Sequence, residues 1–153
     1  MAYKNKVLKS LLAAALFAVA SVSATVYAAD GGDAAQVQKA KMKVVFQVSD
    51  NDPQKWNLTL NNVKNFQSAL GKDNTVLEIV AYGPGINMLK FDSQVGSRVK
   101  DAIDSGVKIV ACENTMHAQK LTRDDMLPEI GYVPGGVIEI AQKQMEGYAY
   151  IRP

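Results

Sequence analysis

The apolar positions of the chain recur with two periods, one typical of buried strands and one typical of helices. Runs of consecutive apolar, largely β-branched residues at 42–48, 75–81 and 107–111 predict three strands. Shorter apolar segments at 132–133 and 148–152 predict a fourth and a fifth strand. Because continuous apolar runs are typical of strands covered on both faces, the pattern favours a buried, mostly parallel sheet.

A first helix is predicted between the first two strands. Its apolar positions, spaced by four, three, three and four residues, are Trp56, Leu60, Val63, Phe66 and Leu70. The polar residues 49–52 supply a cap, Pro53 suits the first turn, and Gly71 supplies the stop. The stripe that begins at Trp56 is therefore interpreted as core.

A second helix is predicted over residues 92–105, with Gly106 as its stop. Its apolar stripe consists of Val95, Val99, Ala102 and Ile103. A last helix is predicted after residues 134–136, with a buried face formed by Val137, Ile138, Ala141 and Met145.

A third helix is predicted to begin just beyond the third strand, at Asn114 or Thr115. Thr122 is placed to cap a further short turn. The segment 83–85, Gly-Pro-Gly, lacks the pattern of a phosphate-binding loop and is interpreted as a turn.

The predicted order is strand, helix, strand, helix, strand, helix, short strand, helix, strand. Such alternation implies right-handed crossovers between parallel strands. The predicted fold is an α/β three-layer α/β/α sandwich with a mostly parallel five-stranded sheet.

The N-terminus has the pattern of a secretory signal peptide. Lys4, Lys6 and Lys9 precede an apolar run at residues 11–20, and small residues follow up to Ala28. The alternative is a permanent membrane anchor, but ten apolar residues fall short of the roughly 20 that span a bilayer. We expect a signal peptide at 1–28 cleaved after Ala28, a flexible leader at 29–41, a domain at 42–153 and a periplasmic location.

Cleavage changes the charge of the chain. The full sequence has 17 basic and 15 acidic residues, and three of the basic ones lie within residues 1–28. The mature chain keeps 14 basic against 15 acidic residues, a net charge of −1. Its basic residues are scattered, so a nucleic-acid partner is not expected.

Cys112 is the only cysteine, and it follows the third predicted strand directly. One thiol forms no internal disulfide, so it is buried and inert, an intermolecular crosslink, or reactive. The carboxyl ends of parallel strands are where ligands bind, and a following helix N-terminus favours the thiolate. The neighbouring Glu113 opposes that effect. His117 lies five residues on, too far round a regular helix to sit directly over the thiol, and one Cys with one His predicts no metal site.

Several blocks resemble one family in order along the chain. They are Val-Ala-Tyr-Gly-Pro-Gly (80–85), Ala-Cys-Glu-Asn-Thr-Met (111–116), Val-Pro-Gly-Gly-Val-Ile-Glu-Ile (133–140) and Glu-Gly-Tyr-Ala-Tyr-Ile-Arg-Pro (146–153). On these blocks the chain resembles the DsrE/DsrF-like family. The resemblance implies a parallel α/β/α fold, a homotrimer or homohexamer, and a cysteine that relays sulfane sulfur as a persulfide.

The resemblance implies roles for particular residues. Cys112 would be the sulfur-carrying residue, and backbone N–H groups after it would stabilise the anionic sulfur. Asn114 and Thr115 would form its pocket. We also expect Tyr82 and Gly83, from the neighbouring strand, to wall that pocket, and His117 is a further candidate for it, although by itself His117 is typical of a surface histidine. No cofactor is implied.

Three functional hypotheses remain open. The first is a periplasmic sulfur carrier or sulfurtransferase-like protein, with donor and acceptor proteins or small sulfur compounds as partners and membrane contact only during export. The second is a non-catalytic oligomeric module that binds a small ligand or a protein and has a structural cysteine. The third is a redox-sensing or covalently crosslinked subunit.

Overall fold

The computed structural model describes residues 41–153. The predicted signal peptide and nearly all of the predicted leader lie outside the described residues. The elements are β1 Met42–Val48, α1 Pro53–Leu70, β2 Thr75–Ala81, α2 Gly96–Asp104, β3 Lys108–Cys112, α3 Glu113–Gln119, β4 Gly131–Val133, α4 Gly136–Met145 and β5 Ala149–Ile151. Three 3₁₀ helices, Lys72–Asn74, Gly83–Leu89 and Arg123–Asp125, lie in the connections. The predicted order of elements is confirmed.

The five strands form one sheet in the order β4-β3-β2-β1-β5, and every pairing in it is parallel. This confirms the predicted five-stranded α/β fold. The two longest strands pair over their whole length, from Met42 opposite Thr75 to Val48 opposite Ala81. At the far edge, Cys112 pairs with Val133.

The two faces of the sheet are covered unequally. From β1 to β4 the chain steps in one direction across the sheet, and from β4 to β5 it returns to the other side of β1. Because each parallel crossover is right-handed, the returning helix α4 lies on the opposite face from the earlier helices. One face therefore packs against α1, α2 and the 3₁₀ helix at 83–89, and α4 covers the other.

The core consists of two clusters, one on each face of the sheet. The larger includes Phe46, Ile79 and Met88, none of which is exposed. The smaller consists of Val45, Val80, Val110, Val133 and Ile140. Each such side chain contributes about 1.5–3 kcal/mol through burial, so the larger cluster supplies most of the hydrophobic stability.

Capping residues next to each end of helix α1 determine where it begins and ends. The Asp52 carboxylate accepts from the backbone N–H of Gln54 at 2.8 Å, and Pro53 occupies the first turn. Gly71, with φ of +86°, ends the helix. Trp56, Leu60 and Val63 are buried as predicted, whereas Leu70 at the last turn is exposed.

The middle of the chain differs in detail from the prediction. Helix α2 begins at Gly96 rather than residue 92, because turns occupy the preceding residues, although its stripe does face the core. Helix α3 begins at Glu113, one residue earlier than expected. The predicted turn at 83–85 is the start of a 3₁₀ helix, because Ile86, Met88 and Leu89 continue into the core. Thr122 does cap a short 3₁₀ turn.

The prediction of which α4 residues are buried is wrong. Val137, Ile138 and Met145 are 61%, 59% and 89% exposed, and Ala141 is exposed as well. The buried positions are Gly136 and Ile140, one turn apart. Gly136 faces the sheet because its missing side chain allows close approach to Tyr82, which rotates the larger apolar residues outward. The monomer therefore presents an apolar helix face to solvent.

Candidate functional site

Cys112 lies at the carboxyl end of two neighbouring strands, β3 and β4, whose following helices lie on opposite faces of the sheet. It is the last residue of β3, and α3 follows at once, packing Met116 into the core on the α1 side. Its partner Val133 ends β4, and α4 follows on the opposite face. Adjacent strands whose following helices diverge in this way leave a crevice at their carboxyl ends, the usual ligand position in open α/β sheets.

The Cys112 side chain points to the α4 face of the sheet. Side chains alternate along a strand, so Cys112 shares the face of Val110, which packs beneath α4. The start of α4 lies close to this point, because a Cβ on Gly136 would be only 2.9 Å from the Tyr82 Cβ. Glycine at this position allows the helix N-terminus to reach the thiol.

Four groups that can donate a hydrogen bond surround the sulfur and favour its anion. They are the Thr115 hydroxyl and the backbone N–H groups of Gly136, Thr115 and Asn114. Burial raises the pKa of the Cys112 thiol, but these hydrogen bonds stabilise the thiolate and outweigh burial, so the pKa lies below its ordinary value. The amides come from two helices, α3 and α4, so the site depends on the tertiary fold.

Thr115 is oriented by the neighbouring strand. The backbone N–H of Gly83 donates to Thr115 Oγ1 at 2.9 Å. Because that bond occupies an acceptor position of the hydroxyl, the Thr115 proton remains available for the Cys112 sulfur. The Gln119 side chain also donates to the Gly83 carbonyl oxygen, at 3.3 Å. Gly83 therefore positions a residue that contacts the thiol.

The thiol is buried, yet its surroundings are polar. Cys112 is 5% exposed and is a free cysteine. The backbone N–H of Asn114 also donates to the Pro134 carbonyl oxygen at 3.2 Å, joining the two loops above the sulfur. Asn114 and Pro134 are themselves exposed. Exposed residues of the segments that follow β3 and β4 are therefore joined next to the buried thiol.

Tyr82 forms a wall of the crevice. It directly follows β2, and its ring packs against Gly136. Burial raises the pKa of the Tyr82 phenol, and a hydrogen bond to Ser49 only partly offsets this. Tyr82 therefore remains a neutral phenol that supports the helix N-terminus.

His117 lies apart from the thiol. It occupies the last turn of α3 and is exposed. Within residues 41–153 no hydrogen bond joins its imidazole to Cys112. The structure thus brings Asn114, Thr115, Tyr82 and Gly83 to the site and leaves His117 outside it.

Gly136 is a site residue that sequence reasoning did not identify. Its contribution is a backbone N–H, which has no side-chain signature. The signal was present in the Pro-Gly-Gly segment before α4, because two glycines at a helix start permit close backbone approach. The partner of that N–H follows only from the return of α4 across the sheet.

A second ionisable cluster lies under α4, further down the same face of the sheet. Glu78, in the middle of β2, is 2% exposed. Its Oε1 lies 3.1 Å from Lys108 Nζ, an ion-pair distance without hydrogen-bond geometry, and its carboxyl hydrogen-bonds that of Glu139 on α4. Burial raises the pKa of Glu78, whereas hydrogen bonds from Glu78 and Lys108 outweigh burial and lower the pKa of Glu139. The pKa values of the two carboxyl groups therefore move apart, upward for Glu78 and downward for Glu139.

Within residues 41–153, no helix is long and apolar enough to cross a membrane. In that same part of the chain, no three Cys, His, Asp or Glu side chains are grouped so as to hold a metal ion.

The fold and the position of Cys112 define a small parallel α/β protein with a free cysteine at the carboxyl end of a strand. The model of the DsrE/DsrF-like family matches residues 42–153. The chain belongs to the DsrE/DsrF-like family, as the sequence blocks indicated.

Two solved structures are similar to the chain. A protein of unknown function from Methanobacterium thermoautotrophicum, MTH1491, is 36% identical, with a TM-score of 0.70 over 74% of this chain and 100% of its own. A conserved protein of unknown function from Bacteroides thetaiotaomicron, BT1422, is 14% identical, with a TM-score of 0.60 over 72% of this chain and 94% of its own. The second likeness shows the fold alone. No curated protein matches the chain.

Proposed function

We propose that the protein carries sulfane sulfur as a persulfide on Cys112. The observation that carries the proposal is the set of four donors on one sulfur, from Thr115, Asn114 and Gly136. Such donors favour an anion, and both the thiolate and the persulfide are anions. Family membership supports the same chemistry.

The transfer needs no external oxidant. The Cys112 thiolate attacks the terminal sulfur of a donor persulfide, the donor S–S bond breaks, and the donor leaves as its own thiolate. Cys112 then holds a persulfide with a terminal anionic sulfur. An acceptor thiolate attacks that outer sulfur, the Cys112 S–S bond breaks, and the Cys112 thiolate is restored.

The surrounding groups stabilise the leaving group in the second step. When the acceptor attacks, negative charge returns to Sγ of Cys112, where the Thr115 hydroxyl and the Gly136 N–H lie. A leaving thiol of lower pKa departs faster. The crevice is therefore suited to releasing sulfur as well as to accepting it.

Loading with polysulfide tests the proposal. The mature wild-type protein, incubated with polysulfide and measured by intact mass spectrometry, is expected to gain sulfur that dithiothreitol removes. The Cys112→Ser variant is expected to gain none, and it lacks any other thiol. Equal sulfur addition to both proteins, or to neither, would contradict the proposal.

The low exposure of Cys112 favours a second candidate function, a binding module with a structural cysteine. Titration with a thiol reagent separates the two. A relay thiol reacts in the folded protein, whereas a structural thiol reacts only after denaturation. Reaction confined to the denatured protein would support the second candidate.

We further propose that the protein works as a homotrimer or homohexamer in the periplasm. The exposed face of α4, formed by Val137, Ile138, Ala141 and Met145, supports a contact between copies, because apolar patches of this kind mark interfaces. Ile138→Asp is expected to reduce the mass measured by light scattering. Leu58→Asp, at an exposed apolar position on α1, is the control that should not. Equal masses for both variants would contradict this contact.

The periplasmic location is tested by N-terminal sequencing. Protein purified from the periplasmic fraction is expected to begin at Ala29. Protein that retains residues 1–28 in a membrane fraction would contradict cleavage.

A further inference from the structure

A groove runs between α1 and α2, on the sheet face opposite the Cys112 thiol. Its volume is about 420 Å³, within the range of roughly 300–1,000 Å³ typical of small-molecule sites. Leu60 and Val63, which are only 4% and 1% exposed, form the floor of the groove together with the half-buried Ala102. The groove therefore has the size of a small-molecule site and an apolar floor.

Hydrogen bonds between the helices fix both ends of the groove. At one end the Arg98 guanidinium on α2 donates to the side-chain oxygens of Asn57 and Asn61 on α1, the latter at 2.7 Å. At the other end Gln67 Nε2 donates to the Ser105 carbonyl oxygen at 2.9 Å. Because each end is tied, the separation of the helices is set before any ligand arrives.

The charged side chains along the groove are mostly cationic. Lys64, Lys72 and Arg98 line it, and Asp101 is the one acidic residue among the lining side chains. No carboxylate of residues 41–153 lies within ion-pair distance of any of the three cations.

Cations elsewhere in the described chain are commonly paired. Lys55, Lys100 and Lys143 each lie 2.9 Å from a carboxylate oxygen. The groove therefore combines an excess of positive charge with an apolar surface. Arg98 also keeps donors in reserve, because two asparagine oxygens use only part of the five N–H groups of a guanidinium.

We propose that this groove binds a small organic anion with a short apolar body. The apolar body lies over the floor formed by Ala102, Leu60 and Val63, and the anionic oxygens bind Lys64, Lys72 and the remaining N–H groups of Arg98. A phosphate ester and a carboxylate share this chemistry. The site is independent of Cys112, so it holds whether or not the thiol carries sulfur.

Titration calorimetry on the mature protein tests the proposal with four probes. These are hexyl phosphate, hexanoate, hexanol and inorganic phosphate. At least one of the two amphiphilic anions is expected to bind with one site per chain, and at least about tenfold more tightly than hexanol or phosphate alone. Tighter hexyl phosphate assigns a phosphate ester, and tighter hexanoate assigns a carboxylate.

Two variants test the two halves of the site. Lys64→Gln with Lys72→Gln removes two charges without disturbing the hydrogen bonds between the helices, and we expect affinity to fall at least about tenfold. Lys41→Gln, at an exposed lysine outside the groove, is the control. Ser68→Phe fills the groove from an exposed position and keeps every charge, so it should abolish binding while leaving the melting temperature unchanged.

Several outcomes would overturn the proposal. They are the absence of saturable binding of either anion, equal affinity for hexanol and for the anions, and unchanged affinity in both the double lysine variant and Ser68→Phe.

Discussion

The Cys112 thiol and the Glu78 carboxyl lie on the same face of the sheet, beneath the same helix, and are 5% and 2% exposed. Their pKa values nevertheless move in opposite directions, down for Cys112 and up for Glu78. Burial raises the pKa of both groups, because both become anions on losing a proton. The difference must therefore come from the groups that surround them.

The surroundings differ in the number and kind of donors. Cys112 faces a hydroxyl and three amides at the start of α4 and α3. Glu78 faces one ammonium, from Lys108, and a second carboxyl, from Glu139. Helix N-termini supply N–H groups that make no hydrogen bond within their own helix, whereas the middle of α4 has none to offer. The N-terminal amides of α3 and α4 thus account for the opposite directions of the two pKa values.

The largest effect on the difference between the Cys112 and Glu78 sites is expected from Gly136→Val. A side chain at Gly136 meets Tyr82 at 2.9 Å, so the start of α4 must shift and its N-terminal amides move away from the sulfur. We expect the thiol pKa to rise and the free energy of unfolding to fall by about 1–3 kcal/mol. Thiol alkylation against pH and urea unfolding measure the two effects. Val137→Ala, at the next and exposed residue, is the control, and equal behaviour of the two variants would contradict the account.

The second largest effect is expected from Glu78→Gln, which changes how stability depends on pH. The raised pKa of Glu78 means that the folded protein keeps a proton that the unfolded chain releases. Its contribution to stability is therefore full below the ordinary carboxyl pKa of 4.5 and is lost as the pH rises through the folded pKa. Gln does not titrate and still donates to Glu139.

We therefore expect the stability of wild type relative to Glu78→Gln to decrease as the pH rises from about 4.5 toward neutrality. Urea unfolding over a pH series measures this difference. Asp73→Asn, which removes one carboxyl at an exposed position, is the control variant. If the free energies of unfolding of wild type and Glu78→Gln change in parallel with pH, the pKa of Glu78 is not raised in the folded protein.

A smaller effect is expected from Thr115→Val, which removes one of the four donors and keeps the shape. A hydrogen bond of this kind contributes about 0.5–1.5 kcal/mol, so alkylation of Cys112 at neutral pH should slow by about twofold to tenfold. Thr115→Ser retains the hydroxyl and should restore the rate. If Thr115→Ser slows the alkylation of Cys112 as much as Thr115→Val does, packing and not hydrogen bonding is responsible.

The smallest effect is expected from His117→Ala. The imidazole is exposed and forms no hydrogen bond to Cys112 within the described chain. The alkylation profile of Cys112 should coincide with that of wild type. A displaced profile would assign His117 a role at the site that this structure does not show.

The well-predicted elements are those whose ends are set by neighbouring residues. Helix α1 was predicted at both ends, because Asp52, Pro53 and Gly71 are local signals. Strands β1 and β2 matched their apolar runs for the same reason. The order of elements then determined the parallel sheet.

Features that depend on tertiary contact were not predictable in this way. The apolar residues of α4 pointed to a buried face, but a glycine contact with Tyr82 sets the rotation of the helix. The same contact brings the Gly136 N–H to the thiol. Sequence reasoning placed Cys112 beside one helix N-terminus, whereas the structure places it beside two.

The most direct test of the account is the pKa of Cys112 itself. The rate of iodoacetamide alkylation can be followed against pH for the folded protein and for the same protein in urea, where Cys112 is the only thiol. The account predicts a lower pKa in the folded protein, and a partial return toward the unfolded value in Thr115→Val. A folded pKa equal to or above that of the unfolded chain would show that burial prevails and would contradict a thiolate held by helix-end amides.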